Sequence, residues 1–293
     1  MSVPRYISYN WLGALADHCM DKSADYYRRA GTTRLHNKNL RPEAVRPGDV
    51  VFVKTDYIYS GIFQKEVLPY ITNPFILVSG TSDRPAAGGA PVGPILESPL
   101  VLKWCCTNVS NLHNSKIYPV PLGFQEKERG GGDQTLIKNL ISSRTPFSRK
   151  KSKILLPPHM ETDSRTPWLE RLQALPYVHW VGDRVSWKEY MKLLDQYKFV
   201  VCLEGNGVDT HRNWEVLAMQ SVPISPSPTM AFLFNFHRLP YFFLEPHKEL
   251  AVSQLSKLAE QSYAFQNADR VLTTSYHSSL IKNPTGAQAT HES

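Results

Sequence analysis

Short apolar runs alternate with amphipathic stretches along most of the chain. In the first half, Val50–Lys54, Phe75–Ser79, Val101–Cys106 and Ile117–Val120 read as strands. Phe63–Ile71 carries a helical pattern, Arg84–Pro99 is a loop rich in Pro, Gly and Ala, and a polar helix is predicted from residue 20 to 35, over Asp21, Asp25, Tyr26, Tyr27, Arg28 and Arg29. The second half repeats the alternation. Strands are predicted at Ile154–Leu156, Val178–Val181, Phe199–Leu203, Val222–Ile224 and Tyr241–Leu244, with helices at Trp168–Ala174, Trp187–Gln196 and Leu250–Gln266. The tail Asn283–Ser293 has little apolar content and is predicted to be mobile. Such alternation predicts an α/β protein with parallel sheets and ligands at the carboxyl ends of the strands. It divides the chain into a first Rossmann-like domain over 1–125, a junction over 126–152 marked by Gly130-Gly131-Gly132, a second such domain over 153–270, and a C-terminal segment over 271–293.

The most informative stretch runs from Phe199 to Ile224: a buried strand, a glycine-bearing turn, and a helix that opens with polar residues. Gly205 and Gly207 let the backbone turn sharply and let a ligand approach the main chain. Asp209 or Thr210 is the expected N-cap, leaving free amides at the helix start. At about 100° per residue, His211, Arg212 and Glu215 share one arc, and Trp214, Leu217 and Ala218 share another that packs on the sheet. Arg212 can pair with a pyrophosphate beside the positive end of the helix, and Glu215 can accept hydrogen bonds from ribose hydroxyls. The bland alternative is a surface i,i+3 pair of Arg212 with Glu215.

Composition narrows the classes. With 293 residues, 42% of them hydrophobic, the chain can bury one large core or two modest ones. No apolar run reaches the roughly 18 residues of a membrane-spanning helix, and Met1–Tyr6 lacks the apolar region of a signal peptide, so a cytoplasmic protein without integral membrane association is expected. Cys19, Cys105, Cys106 and Cys202 show no metal-ligand spacing and are expected to be reduced, structural thiols. The net charge of +7 includes the run Arg149-Lys150-Lys151-Ser152-Lys153, read as a solvated linker rather than a nucleic-acid site because only Phe147 lies near it among aromatics. A nicotinamide dehydrogenase is disfavoured, because Thr210 stands where a G-x-G-x-x-G turn needs its third glycine.

Glu204-Gly205-Asn206-Gly207-x-Asp209-Thr210-His211-Arg212-x-Trp214-Glu215-x-Leu217, followed by Pro223-Ile224, resembles the donor-site signature of exostosin-like glycosyltransferases. Gln220-Ser221 stands where that family has a Gly. Asp49–Asp56, Pro74–Asp83, and Trp104 with Asn108 leading to Lys116–Gly123 resemble the amino-terminal half of compact members, such as those of chlorella-infecting large DNA viruses. The resemblance covers residues 48 to 225 and is most specific over 204–224.

It implies a GT-B-like arrangement, two Rossmann-like domains facing across a cleft, the second holding the nucleotide and the first the acceptor. It implies inverting transfer of a sugar from a UDP-sugar, with UDP-xylose the leading donor, to a hydroxyl of a glycan or glycoprotein. GDP-fucose is the alternative donor, and a non-catalytic nucleotide- or carbohydrate-binding protein the alternative class. The helix start, His211 and Arg212 would stabilise the leaving diphosphate, with a further cation from Arg165 or Arg184. Asp83 is the first choice of general base and Asp56 the second, although Asp83 can equally cap its own turn. Glu204 and Asp209 can accept sugar hydroxyls, and Asn206 can hold left-handed backbone geometry in the turn. No metal is expected, since no Asp-x-Asp follows a strand and arginines with helix ends can take a cation's place.

Overall fold

A computed structural model describes residues 5–21, 40–109, 114–127, 131–160, 162–245 and 252–283. The helix predicted from residue 20 onward falls outside these residues from 22 on, as do Gly130, the first residues of the Leu250–Gln266 helix and the tail beyond 283. The chain forms two compact units, one of residues 1–122 with 273–293 and one of residues 123–272.

The first unit is a parallel sheet of β1 (His18–Met20), β2 (Val50–Lys54), β3 (Phe75–Gly80), β4 (Val101–Cys106) and β5 (Ile117–Pro119), arranged in chain order. β3 is buried along its whole length, as a continuous apolar run between two neighbours requires. Among the described residues the order of this sheet contains no reversal. The predicted helix at Phe63–Ile71 is a π-helical turn, Phe63–Val67, followed by a 3-10 turn, Leu68–Tyr70, with Pro69 barring a regular helix. The loop Arg84–Pro99 contains a short helix, Gly93–Glu97, because Ile95 buries its side chain.

The last described helix, Thr274–Lys282, belongs to this first unit, which corrects its assignment to a separate C-terminal segment. The reason is a buried cation on β4. Lys103 is only 2% exposed, and its ammonium donates to the carbonyls of Leu280 (2.7 Å) and Asn283 (2.5 Å) while lying 4.2 Å from the Tyr118 ring centre. All four cysteines are buried free thiols, and burial pushes Cys105 up to about 12.

The second unit is also a parallel sheet, of β6 (Lys151–Leu156), β7 (Val178–Trp180), β8 (Tyr197–Val201), β9 (Val222–Ser225) and β10 (Phe242–Phe243). Its spatial order, β7-β6-β8-β9-β10, reverses direction between β6 and β8. In open parallel sheets, the crevice outside the strand ends at such a reversal is where ligands bind. The Trp187–Leu194 helix packs its Tyr190, Met191 and Leu194 face against Leu155, Val200 and Val216.

The stretch predicted as a junction, 126–152, is part of this unit's packed structure. Asp133 caps a helix, Gln134–Ser143, by accepting from the amides of Thr135 and Leu136, both at 2.9 Å. Phe147 packs edge-on to Phe199 and Tyr263. The basic run is solvated except at Lys150, but it is not a linker: the Lys150 side chain is fully buried, donating to the Leu194 carbonyl (3.1 Å) and facing Asp195 at 3.4 Å, and the exposed Lys151 opens β6. Gly132 cannot carry a side chain, because a Cβ there would lie 2.3 Å from the Gln125 carbonyl oxygen. Gly132 therefore marks a close backbone approach. The predicted long helix is two, Val252–Glu260 and Phe265–Val271, the first ending where Lys198 donates to the Ala259 carbonyl at 3.0 Å.

Candidate active site

β6 runs into Pro157-Pro158-His159 and β8 into Leu203 and the glycine turn, so both arrive at the reversal point of the second sheet. A cavity of about 510 Å³ opens there, lined by Pro158, His159, Arg165, Arg184, Thr210, His211, Arg212 and Glu215, with Gln125, Trp187 and Tyr190.

The predicted helix forms as His211–Ala218 and is buried from Asn213 to Ala218. Trp214, Leu217 and Ala218 pack inward as their spacing requires. Thr210 is the N-cap but makes no side-chain cap bond, so no side chain of the cap takes up the amides at the cavity wall. Asp209 is neither cap nor exposed acceptor. It is 4% exposed and accepts from the Trp214 indole at 2.9 Å, which pins the glycine turn to the buried face of the helix.

The turn also departs from expectation. Neither Asn206 nor the two glycines adopt a positive φ, and Asn206 is exposed. Gly205 instead gives room for close approach: a Cβ there would lie 3.2 Å from the Arg165 guanidinium. The Gly205 amide donates to the Gly207 carbonyl at 2.9 Å, and Glu204 contributes its carbonyl, which accepts from Arg165 Nε at 2.7 Å. The Glu204 side chain does not line the cavity.

Arg165, at the cap of the Thr166–Gln173 helix, also donates to the Met160 carbonyl at 3.1 Å. Burial, and then the charge of Arg212, lower its pKa from the ordinary arginine value. Arg212 donates to the Pro158 carbonyl at 2.6 Å and to His159 Nε2, and its guanidinium lies 5.5 Å from the Tyr190 ring centre. His211 lines the wall with Nδ1 bonded to the Gly123 carbonyl at 2.7 Å. Arg184 lines the cavity and is exposed.

Glu215 is 2% exposed, which rules out the surface-pair alternative. Burial raises its carboxyl pKa above the ordinary value, opposed by the hydrogen bond from the Trp187 indole and by the Arg212 charge. Trp187 Nε1 donates to Oε1 at 2.8 Å. The Tyr190 hydroxyl is buried beside Glu215 and Arg212.

The structure therefore brings Arg165, Arg184, Thr210, His211, Arg212 and Glu215 to one cavity, and leaves Asp209 and Asn206 outside it. Sequence reasoning missed His159, Trp187, Tyr190 and Gln125. A signal existed for two of them: Ser186-x-x-Glu189 forms a capping box, Ser186 Oγ accepting from the Glu189 amide and Glu189 Oε2 from the Ser186 amide. That box fixes the helix start and puts Trp187 and Tyr190, three residues apart, on one face.

Asp83 and Asp56 meet in a separate cavity of about 260 Å³ in the first unit, with Lys54, Tyr9, Thr81 and Ser82. Asp83 is exposed. Asp56 Oδ2 is buried with no hydrogen-bond partner among the described residues, 3.5 Å from the Lys54 ammonium. The loop bearing Asp83 begins at Thr81, whose φ of 54° is strained for a β-branched residue. The Tyr9 hydroxyl donates to the Thr81 carbonyl at 3.1 Å, and Asn108, itself at φ 52°, donates to the Ser82 carbonyl at 3.0 Å.

No family model and no curated protein matches the chain. Among solved structures, a GtfA/B complex aligns with 80% of this chain at 10% identity and a TM-score of 0.40, and the alignment spans only 56% of that protein's own chain. An alpha-glucosyltransferase in complex with UDP-glucose and DNA containing an abasic site aligns with 91% of this chain and 84% of its own, at 10% identity and a TM-score of 0.32. At such distance neither likeness bears on activity, and the chemistry has to come from the residues.

Proposed function

We propose that the second unit binds a nucleoside-diphosphate sugar and that the protein is an inverting glycosyltransferase of GT-B type. The observation that carries this reading is the convergence of Arg165 and Arg212 on one cavity with buried Glu215, at the point where the strand order reverses. Among the described residues both guanidiniums donate to carbonyls, Arg212 also to His159 Nε2, and neither forms an ion pair with a carboxylate, which leaves charge for an anionic ligand. Glu215 keeps one oxygen on Trp187 and offers acceptor capacity to a vicinal diol such as a ribose. A diphosphate at the arginines and a ribose at Glu215 match the helix arc read from the sequence and its exostosin-like signature.

In the transfer step, the acceptor hydroxyl attacks the anomeric carbon as the bond to the diphosphate oxygen breaks. The hydroxyl proton goes to a carboxylate, Asp83 in the first instance and Asp56 in the second. Negative charge grows on the departing diphosphate, and Arg165, Arg212 and the amides at Thr210–Arg212 stabilise it. These arginines would serve without a metal. UDP is the proposed nucleotide, xylose the first sugar to screen and a glycan hydroxyl the acceptor, with GDP-fucose the alternative donor.

Calorimetric titration with UDP, GDP and NAD, with and without EDTA, tests the reading. UDP binding that survives chelation is the expected result. Preference for GDP moves the donor to fucose, and binding of neither nucleotide overturns the proposal.

A further inference from the structure

The bonds around Arg212 assign a role to a residue outside the signature. His159 Nδ1 lies 2.6 Å from the Pro157 carbonyl, which can only accept, so Nδ1 carries the proton. Nε2 faces the Arg212 guanidinium, which can only donate, so Nε2 must present its lone pair. Two partners of opposite polarity therefore fix both the tautomer and the neutrality of the ring. Burial, with the charges of Arg212 and Arg165, depresses its pKa to about 2, in keeping with that geometry.

The second nitrogen of Arg212 is held by the Pro158 carbonyl, so Pro157, Pro158 and His159 together form a rest for one guanidinium. Proline fixes φ and has no amide hydrogen, which stiffens the rest and leaves only acceptors facing Arg212. Two of the five guanidinium donors are taken up, leaving up to three for a ligand. A protonated His159 would turn an N–H toward Arg212 and set two cations against each other.

We propose that His159 is a positioning residue: its Nε2 lone pair holds Arg212 in the orientation that receives the phosphate groups of the ligand. The proposal rests on the nucleotide-binding reading of the same cavity.

The test compares UDP with uridine on the full chain. His159→Gln places an acceptor oxygen near the position of Nε2. His159→Asn reaches only the Nδ1 position, and His159→Ala removes both. UDP affinity is expected to fall about tenfold or more in the Ala and Asn variants, as loss of a hydrogen bond to a charged group implies, and to be largely kept in the Gln variant. Uridine affinity, followed by NMR titration, is expected to be unchanged in all three. A general loosening of the cavity would weaken both ligands together, and that outcome overturns the proposal. So does wild-type UDP affinity in the Ala variant. If the wild-type protein prefers GDP, the same comparison is made with GDP and guanosine; failure to bind either nucleotide removes the nucleotide reading itself, and the positioning role with it.

Discussion

The indole nitrogen of Trp187 donates to Oε1 of Glu215 across 2.8 Å, tying the first residue of one helix to the fifth of another. It gives the buried carboxylate one donor and orients it at the cavity. Glu215→Gln keeps an acceptor oxygen for Trp187 and removes the charge. UDP binding is expected to weaken about tenfold in this variant, the scale of a hydrogen bond to a charged group. Trp187→Phe leaves the carboxylate buried without that donor and should cost about 1–3 kcal/mol in denaturant unfolding.

Glu215 also sets a pH trend. Its pKa is raised on folding, so the native state holds the proton more tightly than the unfolded chain. Stability therefore falls as pH rises from the ordinary carboxyl range through the raised value. Unfolding curves of wild type and Glu215→Gln should diverge over that interval, with the Gln variant the more stable at the high end.

His159 has the opposite sign. Its pKa drops from 6.5 to about 2 on folding, so below pH 6.5 the unfolded chain takes up a proton that the native state refuses. Stability is lost as pH falls, with a slope of at most about 1.4 kcal/mol per pH unit from this group. His159→Gln should remove that slope, read as the difference between the two proteins' urea midpoints from pH 7 to pH 4.

Gln220 lies just past the His211–Ala218 helix, and its φ is 54°. The Ser221 amide donates to the Val216 carbonyl and the Gln220 amide to the Leu217 carbonyl, both at 3.0 Å, so the His211–Ala218 helix ends in a Schellman motif. A left-handed residue with a Cβ costs about 1 kcal/mol there. Gln220→Gly should raise the thermal midpoint without changing UDP affinity.

In the first unit, Lys103→Met should leave the Leu280 and Asn283 carbonyls without their cation. The expected loss is about 2 kcal/mol. Hydrogen exchange should quicken in the Thr274–Lys282 helix while the second unit keeps its nucleotide affinity. An equal loss of UDP binding would contradict the division of labour between the units.

Asp83→Asn should spare UDP binding and abolish transfer, with Asp56→Asn the control. Near-normal turnover in the Asp83 variant would pass the role of base to Asp56, whose Oδ2 faces the Lys54 ammonium at 3.5 Å.

Patterning alone determined the class of this protein and most of its strands. Val50–Lys54 and Val101–Cys106 form at their predicted bounds, and the other central strands form within three residues of theirs, because a strand buried on both faces has to be a continuous apolar run. Spacing also placed Arg212 and Glu215 on a common arc, since helical period is a local property. Tertiary structure decided the rest. The reversal between β6 and β8 and the sequential order of the first sheet depend on which strands pair, and pairing leaves no trace in local period. Asp209 looks like a cap in sequence and is a buried acceptor for Trp214, because only packing brings that indole to its carboxylate. His159 lies 53 residues from Arg212 and carries no motif. Its role exists only where the end of β6 meets the helix that follows β8, and the fold alone makes them neighbours.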